Sequence, residues 1–363
     1  MPVTLHELAR AAGVSVSTVS RALNSSAHPV NDETRKLILD LAVKMDYRPN
    51  VAARGLKTDR TYTIGLVVYN IASPFTPVLI RGIQEYLKQH DYFSIIISTD
   101  WDPDLEGEAV HQLISRSIDG VIFVETWRDE TNNTLDLANK PYVYVYRLFD
   151  GEYANSVNID DRAGAVLAVE HLVKLGHRRI GYINGPQGWA SSRDRLLGYK
   201  DVLKKYGIEF DPSLVEEGIW EVQSGFKAAM HLMDMTERPT AIFAANDLMA
   251  LGAIYGIQKS GLTVPDDVAV VGYDDQDFAA FSNPTITTVR SPSFEMGRLA
   301  AKLILDRLEN QSEILDPIKV TGTLVIRESC GSKPAQLPDE RFVSENMPPE
   351  SLIKKWKGKN KHD

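Results

Sequence analysis

The sequence predicts an α/β fold with two parts, a small three-helix unit at the N-terminus and a larger body of parallel sheets. Residues 4–24 hold two short helical patterns separated by Gly13, and a third pattern follows. From Thr63 onward, apolar runs alternate with helical stretches. Such alternation, with runs that are apolar on both faces, is typical of parallel strands covered by helices. A length of 363 residues indicates two or three domains.

The first helical pattern begins at an explicit capping signal. Thr4 and Glu7 have the spacing of a capping box, in which each side chain accepts a hydrogen bond from the backbone amide of the other residue. Leu8 and Ala12 then form an apolar stripe along one face. Gly13 supplies the positive φ that a tight turn between two helices needs. We therefore predict a helix, a tight turn and a second helix that Ser15 caps.

The second helix carries the residues that indicate a function. Val19 and Leu23 face the core, so Ser17, Thr18 and Arg21 lie on the outer face. A third helix begins at Asn31, and the residues predicted to close a three-helix core are Leu37, Ile38, Leu41 and Met45. In a helix-turn-helix the early residues of the second helix reach base edges in the major groove, and arginine pairs with guanine through two hydrogen bonds. The alternative interpretation is a pair of ordinary surface helices.

Charge is distributed unevenly along the chain. Residues 1–60 contain nine Lys and Arg against six Asp and Glu, a net charge of +3, whereas the remainder carries −12. A basic head on an acidic body fits a module that binds a polyanion, attached to a body that repels it. The pattern therefore favours DNA as the partner of the N-terminal unit.

The segment after the third helix has the composition of a hinge. Pro49 ends the preceding helix, and Asn50 is placed to cap one further helix of about two turns, which is marginal in water by itself. Leu56 is an apolar residue in an otherwise small and basic segment. It either packs against the next domain as a loop leucine or enters the minor groove of DNA as a wedge that bends the duplex.

The body reads as two similar halves. Strands are predicted at 63–69, 93–98, 120–124, 142–146, 179–183, 240–244 and 268–272, with helices between them at 77–88, 162–175, 193–206 and 248–259. The runs Thr63-Ile64-Gly65-Leu66-Val67 and Arg179-Ile180-Gly181-Tyr182-Ile183 resemble each other, which indicates a repeated α/β unit. Ligands of such sheets bind beyond the carboxyl ends of the strands, and two halves form a cleft there.

The residues that follow these strands include aromatic, amide and charged side chains. They are Ser73, Phe75, Trp101, Trp127, Arg147, Trp189, Arg195, Trp220, Asn246, Asp247, Asp274 and Asp275. Tryptophan faces stack on the CH faces of sugar rings, and Arg, Asn and Asp supply the directed hydrogen bonds that hydroxyls require. Each residue also has a structural interpretation, since a single tryptophan is usually part of a core and Asn246 can simply cap a helix. As a set, they predict a site for a sugar-sized ligand.

Several functional classes are disfavoured by the sequence. The single cysteine, Cys330, excludes an intrachain disulfide framework and a cysteine-rich zinc site. No apolar run resembles a signal peptide or is long enough to span a bilayer, so we expect a cytoplasmic protein without a membrane partner. The sequence contains no Walker A loop, no G-x-S-x-G elbow and no metal-spaced His or Cys cluster. We therefore expect no catalytic residues, no metal site and no cofactor.

Several motifs together resemble the LacI/GalR family of bacterial transcription regulators, across residues 3 to about 329. Those near the N-terminus are Thr4-Leu5, Ala12-Gly13-Val14-Ser15, Thr18-Val19-Ser20-Arg21 and Tyr47-Arg48-Pro49-Asn50. Those in the body are Glu170-His171-Leu172, Arg195-Leu196-Leu197-Gly198-Tyr199, Ala244-Ala245-Asn246-Asp247 and Val270-Val271-Gly272-Tyr273-Asp274-Asp275. Their order and spacing make the resemblance specific.

The resemblance implies a domain organisation and a set of partners. It implies a helix-turn-helix DNA-binding domain at 1–49, a hinge helix and linker at 50–60, a two-lobed periplasmic-binding-protein-like sensor domain at 61–329, and a C-terminal tail at 330–363. The chain is then expected to bind a pseudo-palindromic double-stranded DNA operator as a homodimer. A small-molecule effector, a sugar in the simplest case, would sit between the lobes and switch a repressor of carbohydrate-utilisation genes.

Together with the patterns above, the resemblance indicates residues for each site. Those expected at the DNA are Thr4, Ser15, Val16, Ser17, Thr18, Ser20, Arg21, Asn24, Asn50, Ala53, Arg54 and Leu56. Those expected at the effector are Ser73, Phe75, Trp127, Arg147, Arg195, Trp220, Asn246 and Asp274.

Two departures from the family pattern leave the identity of the effector open. Tyr146 and Ile219 stand where sugar-binding members of the family often carry Asp. The signal that the regulator answers to could instead be a protein partner or a phosphorylated metabolite. A sugar-binding transport protein is a further alternative from a different functional class, and the helix-turn-helix argues against it.

Overall fold

The computed structural model describes residues 3–23, 30–47, 60–100, 102–125, 137–146, 154–310 and 316–332. The chain divides into two compact units, Met1–Tyr62 and Thr63–Asp363. The described part of the first unit is helical, and the second unit contains two six-stranded sheets. The predicted combination of a helix-turn-helix with two α/β lobes is therefore confirmed. None of the helices within these ranges is long and apolar enough to cross a membrane.

The first unit contains helices α1 (Leu5–Ala12), α2 (Val16–Leu23) and α3 (Asp32–Lys44). The predicted capping box is present, because the Glu7 amide donates to Thr4 Oγ1 at 3.3 Å and the Thr4 amide donates to Glu7 Oε2 at 2.8 Å. Gly13 ends α1 with a φ of 67°. Ser15 Oγ then accepts a hydrogen bond from the Thr18 amide at 3.1 Å, as expected for the cap of α2.

The core of this unit forms where the three helices meet. Leu8, Val19 and Ile38 are fully buried there, and Leu41 and Met45 pack against them. The prediction that Leu37 belongs to this core is wrong, because 49% of its surface is exposed. Successive helical residues are rotated by about 100°, so the turn that points Ile38 inward carries Leu37 to the outside.

The second unit consists of two lobes, each built on one sheet. The N-lobe contains β1 (Thr63–Val68), α4 (Thr76–Gln89), β2 (Phe93–Ser98), α5 (Pro103–Ser115), β3 (Gly120–Val124), β4 (Tyr142–Val145), β5 (Ser156–Ile159), α10 (Ser293–Glu309) and β11 (Ile318–Val320). The C-lobe contains α6 (Asp161–Lys174), β6 (Ile180–Asn184), α7 (Ala190–Lys205), β7 (Val215–Glu217), α8 (Val222–Met233), β8 (Ala241–Ala244), α9 (Asp247–Lys259), β9 (Ala269–Asp274), β10 (Thr287–Arg290) and β12 (Thr323–Val325). Short 3-10 helices lie at Pro212–Leu214, Asp277–Ala280 and Glu328–Cys330.

The two sheets share one topology. The strand order is β11-β5-β4-β3-β1-β2 in the N-lobe and β12-β10-β9-β8-β6-β7 in the C-lobe. Neighbouring strands are parallel throughout, except for the antiparallel pair β10 and β12. Every residue of β3 and of β8 is buried, which is the pattern of a sheet covered by helices on both faces. The carboxyl ends of the parallel strands therefore collect at one edge of each sheet.

The chain crosses between the lobes three times, after β5, after β10 and after β11. The crossovers lie side by side, since the Asp160 amide donates to the Val320 carbonyl at 2.9 Å. A Cβ placed on Gly322 would lie 2.7 Å from the carbonyl oxygen of Arg290, so the second and third crossovers are also in close contact. Relative motion of the lobes must therefore be accommodated by all three segments together.

Helices α8 and α9 approach each other through glycines. A Cβ on Gly252 would lie 2.0 Å from the carbonyl oxygen of Val222, and one on Gly225 would lie 2.2 Å from that of Met249. Real Cβ atoms do not approach backbone oxygens this closely, so these positions need glycine for close packing of the two helices. By contrast, Gly107 in α5 has open space where its Cβ would be.

We expect Gly252→Ala to lower the free energy of unfolding by about 1–3 kcal/mol, because the two helices must move apart. The matched control is Gly107→Ala, which should raise it by up to about 1 kcal/mol, because alanine favours a helix and meets nothing there. Urea denaturation followed by circular dichroism measures both. Equal stabilities of the two variants would contradict the close packing of α8 and α9.

Candidate functional site

A cavity of about 500 Å³ lies between the two lobes, at the carboxyl ends of their strands. Its described lining comprises Asn70, Ala72, Ser73, Pro74, Phe75, Glu125 and Tyr146 from the N-lobe, and Trp189, Ser191, Arg195, Ile219, Trp220, Glu221, Asn246, Leu248, Asp274 and Gln276 from the C-lobe. Its volume falls in the range of pockets that hold small organic ligands. The structure thus brings together Ser73, Phe75, Arg195, Trp220, Asn246 and Asp274 of the predicted effector residues.

Arg195 is the most constrained side chain of the site. It projects from α7 and is 2% exposed. Its Nε donates to Asp161 Oδ1 at 2.7 Å, its Nη1 donates to the carbonyl of Ala245, and its Nη2 lies 3.8 Å from Asp274 Oδ1. The guanidinium carbon lies 3.7 Å from the centre of the Tyr273 ring. Burial by itself lowers the pKa of Arg195, but the two carboxylates raise it well above its ordinary value, so the side chain stays charged.

Asp274 ends β9 and connects the cavity to a crossover. Its Oδ1 accepts a hydrogen bond from Ser291 Oγ at 3.2 Å, and Ser291 belongs to the second crossover. Burial raises the pKa of Asp274 to about 6, against the opposing effect of the Arg195 charge. A ligand that hydrogen bonds to this carboxylate therefore acts on a group that also holds the chain segment between the lobes.

Asn246 and Trp220 form a second corner of the site. Asn246 Oδ1 accepts from the Met249 amide at 2.8 Å, so this side chain caps α9, and its Nδ2 donates to the Trp220 carbonyl at 3.1 Å. The Trp220 and Trp189 rings lie 5.8 Å apart at 60°. The capping interpretation of Asn246 is therefore correct, and the same side chain also holds the backbone of Trp220 at the cavity.

The N-lobe wall contributes aromatic rings and a carboxyl group. Phe75 and Tyr146 meet edge to face with their ring centres 4.9 Å apart. Glu125 follows β3 and accepts a hydrogen bond from the Thr76 hydroxyl. Burial raises the pKa of Glu125 to about 7, although hydrogen bonds from Thr76 and Ser73 lower it.

Four side chains of the site are carried by backbone in the left-handed region. The φ angles are 58° at Glu125, 53° at Tyr146, 64° at Trp220 and 105° at Asp274. Such conformations cost residues other than glycine on the order of 1–3 kcal/mol, and they concentrate at functional sites. In the N-lobe as in the C-lobe, they turn the chain sharply where a strand ends and direct the side chain into the cavity.

Comparisons with known proteins agree on one family. A profile described as bacterial regulatory proteins, lacI family, matches residues 4–50, and a periplasmic binding protein-like domain matches residues 169–330. The repressor PurR of Haemophilus influenzae is 31% identical over 335 residues, which cover 91% of this chain and 99% of PurR. The ribose operon repressor of the same species is 32% identical over 330 residues, with the same coverage of each chain. This chain belongs to the LacI family.

Solved structures of LacI-family proteins share the fold. The Lac repressor dimer bound to operator and the anti-inducer ONPF has a TM-score of 0.78 at 30% identity, covering 92% of this chain and all of that one. The regulator CelR in complex with cellobiose has a TM-score of 0.68 at 34% identity, covering 90% of this chain and 99% of that one. The family consists of DNA-binding transcriptional regulators, so this LacI-family chain is a regulator and not an enzyme.

The helix-turn-helix of this LacI-family regulator presents only part of the predicted DNA set on its surface. Ser15, Ser17 and Arg21 are exposed, and Arg21 Nε donates to the Ser17 carbonyl at 3.2 Å. Val16, Thr18 and Ser20 are half-buried, whereas Thr4 is exposed and takes part in the capping box. The remaining predictions, Asn24, Asn50, Ala53, Arg54 and Leu56, fall outside the described residues, as do Trp127 and Arg147 of the effector set.

Several residues in or behind the cavity wall are not among the predicted set, and Glu125, Asp161 and Gln276 are three of them. Glu125 directly follows a predicted strand, so the rule that selected the other residues applies to it equally. Asp161 was overlooked because a carboxylate in the first turn of a helix suggests only a cap. Gln276 lies two residues beyond Asp274, and its backbone amide donates to Asp247 Oδ2 at 2.8 Å.

The pKa of Glu125 predicts how the stability of this regulator changes with pH. Because its pKa is raised, the folded chain keeps a proton between pH 4.5 and 7 where the unfolded chain has lost it. The folded state is thus favoured at low pH, and this contribution is lost as pH rises towards 7. In the wild type we expect the free energy of unfolding to fall by about 3 kcal/mol between pH 4.5 and 7 because of this group. Glu125→Gln should remove that pH dependence.

Chemical denaturation at a series of pH values measures this effect. The control is Glu328→Gln, since hydrogen bonds from the Thr285 amide and hydroxyl lower the pKa of Glu328. The contribution of Glu328 to the free energy of unfolding is fully present above pH 4.5. Glu328→Gln should therefore lower the free energy of unfolding by the same amount at every pH in the window. If Glu125→Gln leaves the slope of stability against pH unchanged, burial does not raise the pKa of Glu125 and the prediction is wrong.

Proposed function

We propose that this regulator is a repressor of carbohydrate-utilisation genes and that a small sugar-like effector weakens its binding to the operator. The observation that carries the proposal is the cavity between the lobes, where an aromatic wall stands beside a cation, an amide and a carboxylate. The solved complex of the relative CelR with cellobiose supports a saccharide as the ligand class.

The chemistry of the cavity suits a ring that carries several hydroxyls. Trp220 offers an aromatic face, with Trp189 beside it. Arg195 and Asp274 supply fixed donors and acceptors that are already desolvated, so hydrogen bonds to them lose little free energy to reorganisation. Adjacent hydroxyls of a sugar can donate to the carboxylate and accept from the guanidinium at once.

The coupling of ligand to DNA follows from the contact between Asp274 and Ser291. A sugar that closes the lobes and engages Asp274 changes the surroundings of the second crossover, and with it the angle between the lobes. In a dimer, that change would alter the spacing of the two segments that lead to the DNA-binding units. Ligand and operator would then oppose each other reciprocally by about 1–3 kcal/mol.

The proposed assembly is a homodimer on a pseudo-palindromic operator, in the cytoplasm and at the nucleoid when bound. Two large apolar side chains support self-association, since Phe93 at the start of β2 is 72% exposed and Phe281 is 75% exposed. β2 also forms the edge of the N-lobe sheet. The Lac repressor is a dimer on its operator in the solved structure that this chain resembles.

The effector site is tested with a ligand found by a thermal-shift screen of neutral sugars on the full chain. We expect Asp274→Ala to lower the affinity for that ligand by about 10- to 100-fold in calorimetry, because the substitution removes a charged hydrogen-bond acceptor. Saturating ligand should weaken operator binding of the wild type and leave that variant unaffected at the same concentration. Asp234→Ala, an exposed carboxylate after α8, is the control. Equal affinity of wild type and Asp274→Ala would refute the placement of the site.

The DNA site is tested with an operator selected from random duplexes. We expect Arg21→Ala to cost about 1–3 kcal/mol on that operator and to relax discrimination at one base pair, because a bidentate contact to guanine is lost. Its effect on random duplex should be small by comparison. Lys44→Ala, an exposed cation in the last turn of α3, is the control for general charge. An equal loss on selected and random DNA would show that Arg21 contacts phosphate and reads no base.

A further inference from the structure

Asp275 lies behind the wall of the cavity, between two arginines. It directly follows Asp274 at the end of β9, and the φ angles of 105° at Asp274 and 55° at Asp275 turn the chain sharply there. Asp274 lines the cavity. The side chain of Asp275 is 1% exposed; its Oδ2 accepts from Arg290 Nε at 2.6 Å, and its Oδ1 lies 2.6 Å from Arg327 Nη2. One turn thus places one carboxylate at the ligand space and the next between the two arginines.

The two arginines belong to different parts of the C-lobe. Arg327 is 9% exposed, and its Nη1 donates to the Ile286 carbonyl at 2.8 Å, which anchors it within the lobe. Arg290 is the last residue of β10, and the second crossover begins at the next residue. The side chain of Arg290 is 43% exposed. Asp275 therefore links an anchored partner to a partner at the start of a crossover.

Further hydrogen bonds join the same turn to the crossover. The Ser291 amide donates to the Asp274 carbonyl at 3.3 Å, and Ser291 Oγ donates to Asp274 Oδ1 at 3.2 Å. The Asp275 amide donates to Thr288 Oγ1 at 3.3 Å. A sugar hydroxyl that donates to Asp274 Oδ1 competes with Ser291 for that oxygen. Sugar binding therefore opposes the arrangement in which residues 274–275 hold residues 290–291.

We propose that the ion pair of Arg290 with Asp275 stabilises the operator-binding arrangement of the lobes, and that it opens when a sugar displaces Asp274. Arg290 is then a positioning residue of the switch, since it acts on the effector site only through Asp275. It is not among the described residues that line the cavity. The inference rests on the proposed function, because it assigns one ion pair to the coupling between sugar and operator.

Charge balance explains why the pair with Arg290 is the one that opens. Asp275 supplies one negative charge for two guanidinium groups, one at each of its oxygens. The buried charge of Arg327 needs this carboxylate, because leaving a buried charge unpaired is strongly unfavourable. Water reaches Arg290 and solvates its guanidinium when the pair opens, so opening costs little. The pair with Arg327 persists in both arrangements and keeps the C-lobe intact.

The test compares the full-length wild type with Arg290→Gln, which removes one guanidinium and leaves the pair of Asp275 with Arg327 in place. The probes are cellobiose, glucose, galactose and ribose, measured by calorimetry, and the operator is a duplex selected from random sequences. We expect the variant to bind the tightest of these sugars about 2- to 5-fold more tightly than the wild type does, because the partly exposed pair no longer opposes the sugar-bound arrangement.

The sugar concentration that halves operator binding should fall by the same factor, because the two sites are linked. Without sugar, the variant should bind the operator equally well or more weakly. A merely structural role of Arg290 predicts the opposite sign, since damage to the C-lobe would lower the affinity for sugar.

The matched control is Arg179→Gln. Arg179 pairs with Asp211 at 3.0 Å, and its side chain is 31% exposed. It precedes β6, at the amino end of the strands and away from the cavity. This control loses a comparable ion pair of the same lobe, and we expect it to keep the wild-type affinities for sugar and operator.

Two results would overturn the inference. The first is an affinity of Arg290→Gln for sugar that equals or falls below that of the wild type, and the second is an equal gain in Arg179→Gln. In either case, release of the wild type from operator by sugar would leave the proposed function intact. If no probe binds the wild type, the proposed function fails and the inference fails with it. Arg290→Met decides the question by the same measurements if Arg290→Gln does not fold.

Discussion

The rest of the candidate site depends on the contacts of the buried guanidinium of Arg195. It contacts Asp161 at the start of α6, the Ala245 carbonyl after β8 and Asp274 at the end of β9. Each partner lies at a different strand end or crossover, so one side chain fixes their relative positions. A buried charge must be compensated locally, because an unpaired one costs several kcal/mol. Arg195 therefore holds together the C-lobe wall of the cavity.

A second polar network, centred on Asp275 and Asp247, holds the neighbouring strand ends of the C-lobe together. Asp275 Oδ2 lies 2.6 Å from Arg290 Nε, and its Oδ1 lies 2.6 Å from Arg327 Nη2. Asp247 Oδ1 accepts from the Thr288 hydroxyl at 2.6 Å. Arg290 ends β10, the strand that leads into the second crossover. The neighbouring carboxylates Asp274, at the end of β9, and Asp275, directly after it, therefore have different partners. Asp274 meets the ligand space, and Asp275 holds the segment through which the lobes are joined.

The features that can be predicted from this sequence are those that depend on periodicity and on local signals. The capping box of Thr4, the turn at Gly13 and the alternation of strands and helices are local, and each appears where it was predicted. Leu37 was misplaced because an apolar residue at a helix edge has the same spacing as a core residue. Glu125 directly follows a predicted strand, so the strand-end pattern includes it. Asp161 differs, because its role arises from Arg195, a partner 34 residues away in the chain, and no local pattern records such a pair.

The ionisation of the cavity gives a last physical constraint on the switch. Burial raises the pKa of Asp274 to about 6 and that of Glu125 to about 7, so both groups exchange protons near neutral pH. A hydroxyl that donates to either group favours its carboxylate form, and binding must then release protons. In the proposed switch, a lower pH would by the same linkage weaken ligand binding and thereby favour the operator-bound state. Because Asp274 also bonds to Ser291, the proton, the sugar and the crossover all act on one carboxylate. In the proposed switch, ligand binding would therefore act directly on the segment that joins the two lobes.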